Sequence, residues 1–135
     1  MPYKANTMVI EQRAKPLSGA RILVVEDEYY LAANLSRGLS DAGAEVIGPI
    51  GSLQEAQATV SCGRFDCAVV DMNLRGSVAH SVAERLGERG VPFLIATGYD
   101  RASLPESLRH APRVEKPFTP NEVIDRLVNL RAGNS

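Results

Sequence analysis

Short runs of Val, Ile and Leu punctuate this chain, and most of them stop on a residue that can do chemistry. The runs are "RILVVE" (21–26), "AEVIGPI" (44–50), "DCAVVD" (66–71), "PFLIAT" (92–97) and a weaker "PRVEK" (112–116). Near-continuous apolar runs of this length fit strands buried on both faces, as in a parallel sheet. Helical patterns lie between them. Leu31, Leu35 and Leu39 form one stripe, Leu53 and Ala56 begin a second with Ser52 as N-cap, and Val78, Val82 and Leu86 form a third. Val123, Ile124, Leu127 and Val128 form the last, opened by Thr119-Pro120-Asn121-Glu122, a cap with proline in the first turn and glutamate at its third position. Gly43, Gly63 and Gly90 stand where three helices should stop. Five strands alternating with helices predict an α/β domain with helices on both faces of one sheet.

The segment 98–112, "GYDRASLPESLRHAP", should hold the fourth helix, but Pro105 interrupts it and Pro112 ends it. Proline inside a helix costs about 3 kcal/mol, so a short, irregular or mobile segment is predicted here. Residues 1–19 read as an N-terminal extension, flexible or loosely helical, 20–131 as the folded domain and 132–135 as a tail.

Bulk properties exclude several functions. The formal net charge of -1 gives no basic excess for nucleic acid or anionic membrane. No apolar run approaches the length of a membrane span, and no signal peptide is apparent. Cys62 and Cys67 make neither a metal spacing nor a disulfide framework, which suits a reducing cytoplasm.

Sheets of this kind place their sites at the carboxyl ends of the strands. The first strand runs into Glu26, Asp27 and Glu28, the third ends on Asp71, the fourth on Thr97, and the fifth leads to Lys116. Glu26, Asp27 and Asp71 would then share one edge. Three carboxylates repel unless a cation joins them, and a hard divalent ion such as Mg²⁺ suits oxygen ligands. With a lysine and a hydroxyl nearby, the set fits a phosphoryl group. Asp71, standing alone opposite the Glu26–Asp27 pair, is the candidate nucleophile. It could instead cap the next helix, but Gly76-Ser77 offers a cap there. Glu28 is read as the start of the first helix.

"ILVVEDE", "VVDMNLRG", "IATG" and "VEKPF", in that order, resemble the receiver domain of bacterial two-component response regulators, the CheY-like proteins, over about residues 20–131. The resemblance implies a flavodoxin-like, doubly wound, five-stranded parallel sheet of order 2-1-3-4-5. It implies Asp71 as phosphoacceptor, Glu26, Asp27, Asp71 and the Asn73 backbone carbonyl around Mg²⁺, and Thr97 and Lys116 as phosphoryl sensors. It implies a sensor histidine kinase as donor. With no room for an output domain after residue 131, the expected role is a stand-alone regulator, monomeric or weakly dimeric. Such a protein acts on an unknown downstream protein or serves as a phosphate sink; it is not an enzyme in its own right. "ATGYD" is similar to the FATGUY subgroup, although Ile95 replaces its first phenylalanine. The family's strand-five aromatic is Arg113 here, which makes Tyr99 a candidate switch residue. An aspartyl-nucleophile phosphohydrolase is the alternative, and Asn73 stands where its general acid would be. Flavin binding, also open to this fold, lacks a glycine-rich phosphate loop.

Overall fold

The computed structural model describes residues 15–74, 76–98 and 104–133. Five parallel strands, β1 (Arg21–Val25), β2 (Glu45–Ile50), β3 (Cys67–Asp71), β6 (Phe93–Thr97) and β7 (Arg113–Glu115), form one sheet in the order β2-β1-β3-β6-β7. This is the predicted 2-1-3-4-5 arrangement, since β4 (Asn73–Leu74) and β5 (Ser77–Val78) pair only with each other. The helices are α1 (Tyr29–Asp41), α2 (Leu53–Cys62), α3 (His80–Glu88) and α4 (Pro120–Gly133).

Alternate residues of the strands feed two separate cores. Ile22, Val24, Val69, Leu94 and Ala96 pack with α1 and α4 on one face. Leu23, Val25, Ala68, Val70 and Ile95 pack with α2 and α3 on the other. Burial on both faces is why these strands read as continuous apolar runs rather than as alternating ones. Leu17 and Ala20 are fully buried in the first core, and the Leu17 N–H donates to Ala42 O at 2.9 Å. The packed chain therefore reaches back to Leu17, inside the segment read as an extension.

Local signals act where the sequence placed them. Ser52 Oγ accepts from Glu55 N–H at 3.2 Å. At the start of α4, Glu122 N–H donates to Thr119 Oγ1 (3.2 Å) while Thr119 N–H donates to Glu122 Oε1 (3.1 Å), a reciprocal capping box. The region read as a doubtful helix holds, among its described residues, one 3₁₀ turn at Glu106–Leu108, with Leu104 and Leu108 buried beneath it.

Two readings need correction. Val78 is not part of the α3 stripe; it lies in β5 and is exposed, and α3 buries Val82, Ala83 and Leu86 instead. Ser77 does not cap α3, whose N-cap is Ala79 with no side-chain bond. The cause is a tight hairpin: Gly76, at φ +84, donates its N–H to Asn73 Oδ1 at 2.9 Å and turns β4 back into β5.

Close helix packing gives a stability prediction. A Cβ on Gly38 in α1 would stand 2.6 Å from Pro120 Cβ at the head of α4. Alanine would gain about 1 kcal/mol in helix propensity. A rigid proline ring cannot rotate away, so overpacking of about 1–3 kcal/mol outweighs that gain. Gly38→Ala should therefore lower stability, by up to about 2 kcal/mol, in urea denaturation; a raised midpoint would show that α1 and α4 can separate freely.

Candidate functional site

Glu26 follows directly on β1 and is fixed there by its own N–H, which donates to Ile50 O at 2.9 Å. Asp71 is the last residue of β3, in register with Ala96 of β6. Thr97 ends β6, and its carbonyl accepts from Lys116 N–H at 3.0 Å, which delivers Lys116 to the same edge of the sheet. Four of the predicted residues thus arrive from four strand ends. Carboxylate oxygens of Glu26, Asp27 and Asp71 lie within 4.8 Å of one another. Glu26, Asp71 and Thr97 are buried, whereas Asp27 is partly exposed.

The Lys116 ammonium lies between two of these acids, 3.0 Å from Asp71 Oδ2 and 3.2 Å from Glu26 Oε1. Backbone donors also hold the same two carboxylates. Asn73 N–H reaches Asp71 Oδ1 at 3.1 Å, and Glu28 N–H reaches Glu26 Oε2 at 3.1 Å. Both are contacts two residues along the chain, of the type acids make when a strand breaks into a loop. The sequence reading missed the Glu28 N–H as part of the site. An acid followed by backbone N–H groups at a strand exit was the available signal.

One ammonium does not balance three carboxylates. The Glu26 carboxyl shows the strain, pushed up to about 7 by burial first and by the Asp71 charge second, with the Glu28 N–H and Lys116 opposing. Burial alone would depress the Lys116 ammonium. Its bond to Asp71 and the charges of Asp71 and Glu26 outweigh burial and raise it. Excess negative charge, oxygen-only donors and a partly open Asp27 fit a hard divalent cation, and Mg²⁺ accepts such a set while keeping several waters. Glu26, Asp27 and Asp71 are the residues that would hold it.

The fold has close parallels among solved structures. A putative response regulator from Chloroflexus aurantiacus matches with a TM-score of 0.72 at 27% identity, covering 84% of this chain and 98% of that one. SdrG from Sphingomonas melonis matches with a TM-score of 0.71 at 36% identity, covering 85% and 97%. The chain has the fold of response regulator receiver domains. A receiver protein from Sinorhizobium medicae shares the fold at a TM-score of 0.72 and 23% identity. Among curated proteins, the transcriptional regulatory protein TcrA of Mycobacterium tuberculosis is 37% identical over 83 residues, 60% of this chain and 32% of TcrA, so the match spans about a third of that relative. No family model matches the chain.

Tyr99 lies outside the described residues. Arg113, at the position of the family's aromatic, pairs with Glu115 at 3.1 Å on β7 and has a buried guanidinium nitrogen without a partner. Cys67 is buried, which pushes its thiol up to about 11, and Cys62 is exposed; both are free. A groove of about 730 Å³ opens at the opposite end of β6, where Val91, Phe93 and Leu130 meet Glu84 and Glu88, far along the sheet from the carboxylates. No helix among the described residues is long and apolar enough to cross a membrane.

Proposed function

We propose that this receiver accepts a phosphoryl group on Asp71 from the phosphohistidine of a sensor histidine kinase, in the cytoplasm of a bacterium. The observation that carries this reading is the Lys116 ammonium 3.0 Å from a buried Asp71 carboxylate, with two further acids beside it. An Asp71 oxygen attacks phosphorus, an O–P bond forms, the N–P bond of the donor breaks, and the released imidazole takes a proton from solvent. Asn73 N–H and Lys116 hold the nucleophile in one orientation before attack. Lys116 then faces the transferred oxygens, and the buried Thr97 hydroxyl is the further donor at that edge. Bound Mg²⁺, held by Glu26, Asp27, Asp71 and the Asn73 carbonyl, would add positive charge where the phosphoryl oxygens gather.

The output is a changed affinity for another protein, or none if the protein is a stand-alone phosphate sink. In the first case Tyr99 is the candidate switch residue, as the "ATGYD" likeness to the FATGUY subgroup suggests. A phosphohydrolase is less well supported: Asn73 cannot serve as a general acid, and its Oδ1 accepts from Gly76 N–H.

The test is incubation with acetyl phosphate, with Mg²⁺ or EDTA, followed by reduction of the acyl phosphate and peptide mapping. Uptake that requires Mg²⁺ and maps to Asp71 is the expected result. Label elsewhere, uptake indifferent to EDTA, or sustained phosphate release from a phosphomonoester would defeat the proposal.

A further inference from the structure

At the end of the sheet opposite the carboxylates, the apolar lining of the domain stays open. Val91, Phe93 and Ala111 pack against one core and Leu130 against the other, and all four remain half-buried where the groove of about 730 Å³ opens. Leu108, which is buried, lines it as well. One wall is the second half of α3, whose exposed Glu84 and Glu88 give it an acidic lip; the other is the 3₁₀ turn and the segment after it, which brings the exposed His110. Glu84 accepts from the Ser107 hydroxyl at 2.8 Å, and Glu88 pairs with Arg85 of its own helix at 3.3 Å. Both contacts lie at the surface, where such pairs are worth about 0–1 kcal/mol and exchange partners readily. An apolar floor beside two carboxylates fits an occupant that is apolar at its centre and basic at its ends.

We infer that residues 1–14 of this chain fill the groove, with Met8-Val9-Ile10 on its apolar floor and Lys4 and Arg13 toward its acidic lip. These residues lie outside the described ones, and the case for them is chemistry and reach. The first fifteen residues carry one apolar triplet, Met8-Val9-Ile10, between Lys4 on one side and Arg13 and Lys15 on the other, against a single acid, Glu11. Among the described residues the packed chain begins near Leu17, at the rim where the strands start. From there the rim leads directly to the groove. Arg21 N–H donates to Asp66 Oδ2 at 2.7 Å, joining the start of β1 to the start of β3, and Ala68 N–H donates to Pro92 O at 3.0 Å, joining β3 to β6. Two strand spacings amount to about 10 Å. An extended chain covers about 3.3–3.6 Å per residue, so the triplet, five residues before Lys15, can reach that far. A short tether also supplies an effective concentration in the millimolar range, so contacts too weak to recruit a separate protein suffice. Seated there, the segment ties the 3₁₀ turn to α3.

The test places a nitroxide on the full chain through Ala5→Cys, with Cys62→Ser removing the exposed thiol; Cys67 is buried and takes no label. The amide signals of Val91, Leu108 and Ala111 should lose more than about half their intensity relative to the reduced label, unchanged on dilution, because the contact is intramolecular. Val9→Asp/Ile10→Asp puts charge where the floor is apolar and should return nearly all of the lost intensity. Glu84→Lys/Glu88→Lys, which reverses the lip, should return at least about half of it, and raised salt should act in the same direction. A segment merely tethered beside the rim would ignore both double variants. Unaltered dispersion of the remaining amide signals checks that each variant is folded. Spin-labelled protein mixed with unlabelled, isotope-enriched protein should leave the enriched signals intact. Full intensity at Val91, Leu108 and Ala111, broadening indifferent to both double variants, or broadening in the mixed sample would overturn the inference, the last by making a second copy the occupant.

Discussion

Asparagine in place of Asp71 is expected to abolish phosphoryl uptake, by at least about a hundredfold with any donor, because the amide oxygen is not a competent nucleophile. The variant should nevertheless fold at least as well as the wild type above neutral pH. Asp71 is the second largest cause of the raised Glu26 carboxyl, after burial. Asparagine removes that repulsion and keeps an oxygen for the Asn73 N–H, while Lys116 retains Glu26 at 3.2 Å. A gain of about 1 kcal/mol in urea denaturation near pH 8 is the expected size, as when a charge placed for function is removed from a like-charged site. Loss of label with a large loss of stability would mean that Asp71 matters for folding, and persistent label would mean that another residue accepts phosphorus. The combination of no label and equal or higher stability is what a site that stores repulsion for chemistry requires.

The parts of this domain that were legible in the sequence are those where one physical demand acts alone. Strands buried on both faces must be apolar throughout, so β1, β3 and β6 stand out as unbroken runs. Their exits are the first positions free of that demand, which is why Glu26, Asp71 and Thr97 could be placed at one edge without coordinates. The capping box at Thr119 and Glu122 was legible for a similar reason: a helix start must satisfy its first N–H groups locally. Less legible features arise where two demands compete. Two-residue strands have no periodicity, so Val78 was assigned to the helical stripe that begins after it, although Asn73 and Gly76 carried the turn signal. Leu17 is a single apolar residue in polar surroundings, and only the packed sheet shows that it closes one core. Nor can spacing state that Lys116 bridges both Glu26 and Asp71. That depends on Lys116 N–H donating to Thr97 O, a contact between neighbouring strand ends.

The pH dependence of stability should reverse the usual expectation for a buried carboxylate next to a lysine. Such a pair commonly stabilises a fold as pH rises above the carboxyl's ordinary value. Here the folded Glu26 carboxyl lies at about 7, above its ordinary value of 4.5. Between those two values the folded chain holds a proton that the unfolded chain has released, so stability falls as pH rises. Glu26's contribution is complete below the unfolded value and is lost as pH passes through about 7. Lys116, raised above 10.5, contributes stability that disappears only at still higher pH and leaves this window unaffected. Mg²⁺ binds the deprotonated set, so it must displace the Glu26 proton in acid and meets no proton in base. In EDTA, stability from urea denaturation should decline between about pH 5.5 and pH 8; Mg²⁺ at a hundredfold excess over its dissociation constant should restore about 2.7 kcal/mol at the upper pH and clearly less at the lower. Glu26→Gln should flatten the decline in EDTA and weaken the Mg²⁺ effect. An equal Mg²⁺ gain at both pH values, or a decline that survives Glu26→Gln, would show that the proton on Glu26 is not what the cation replaces.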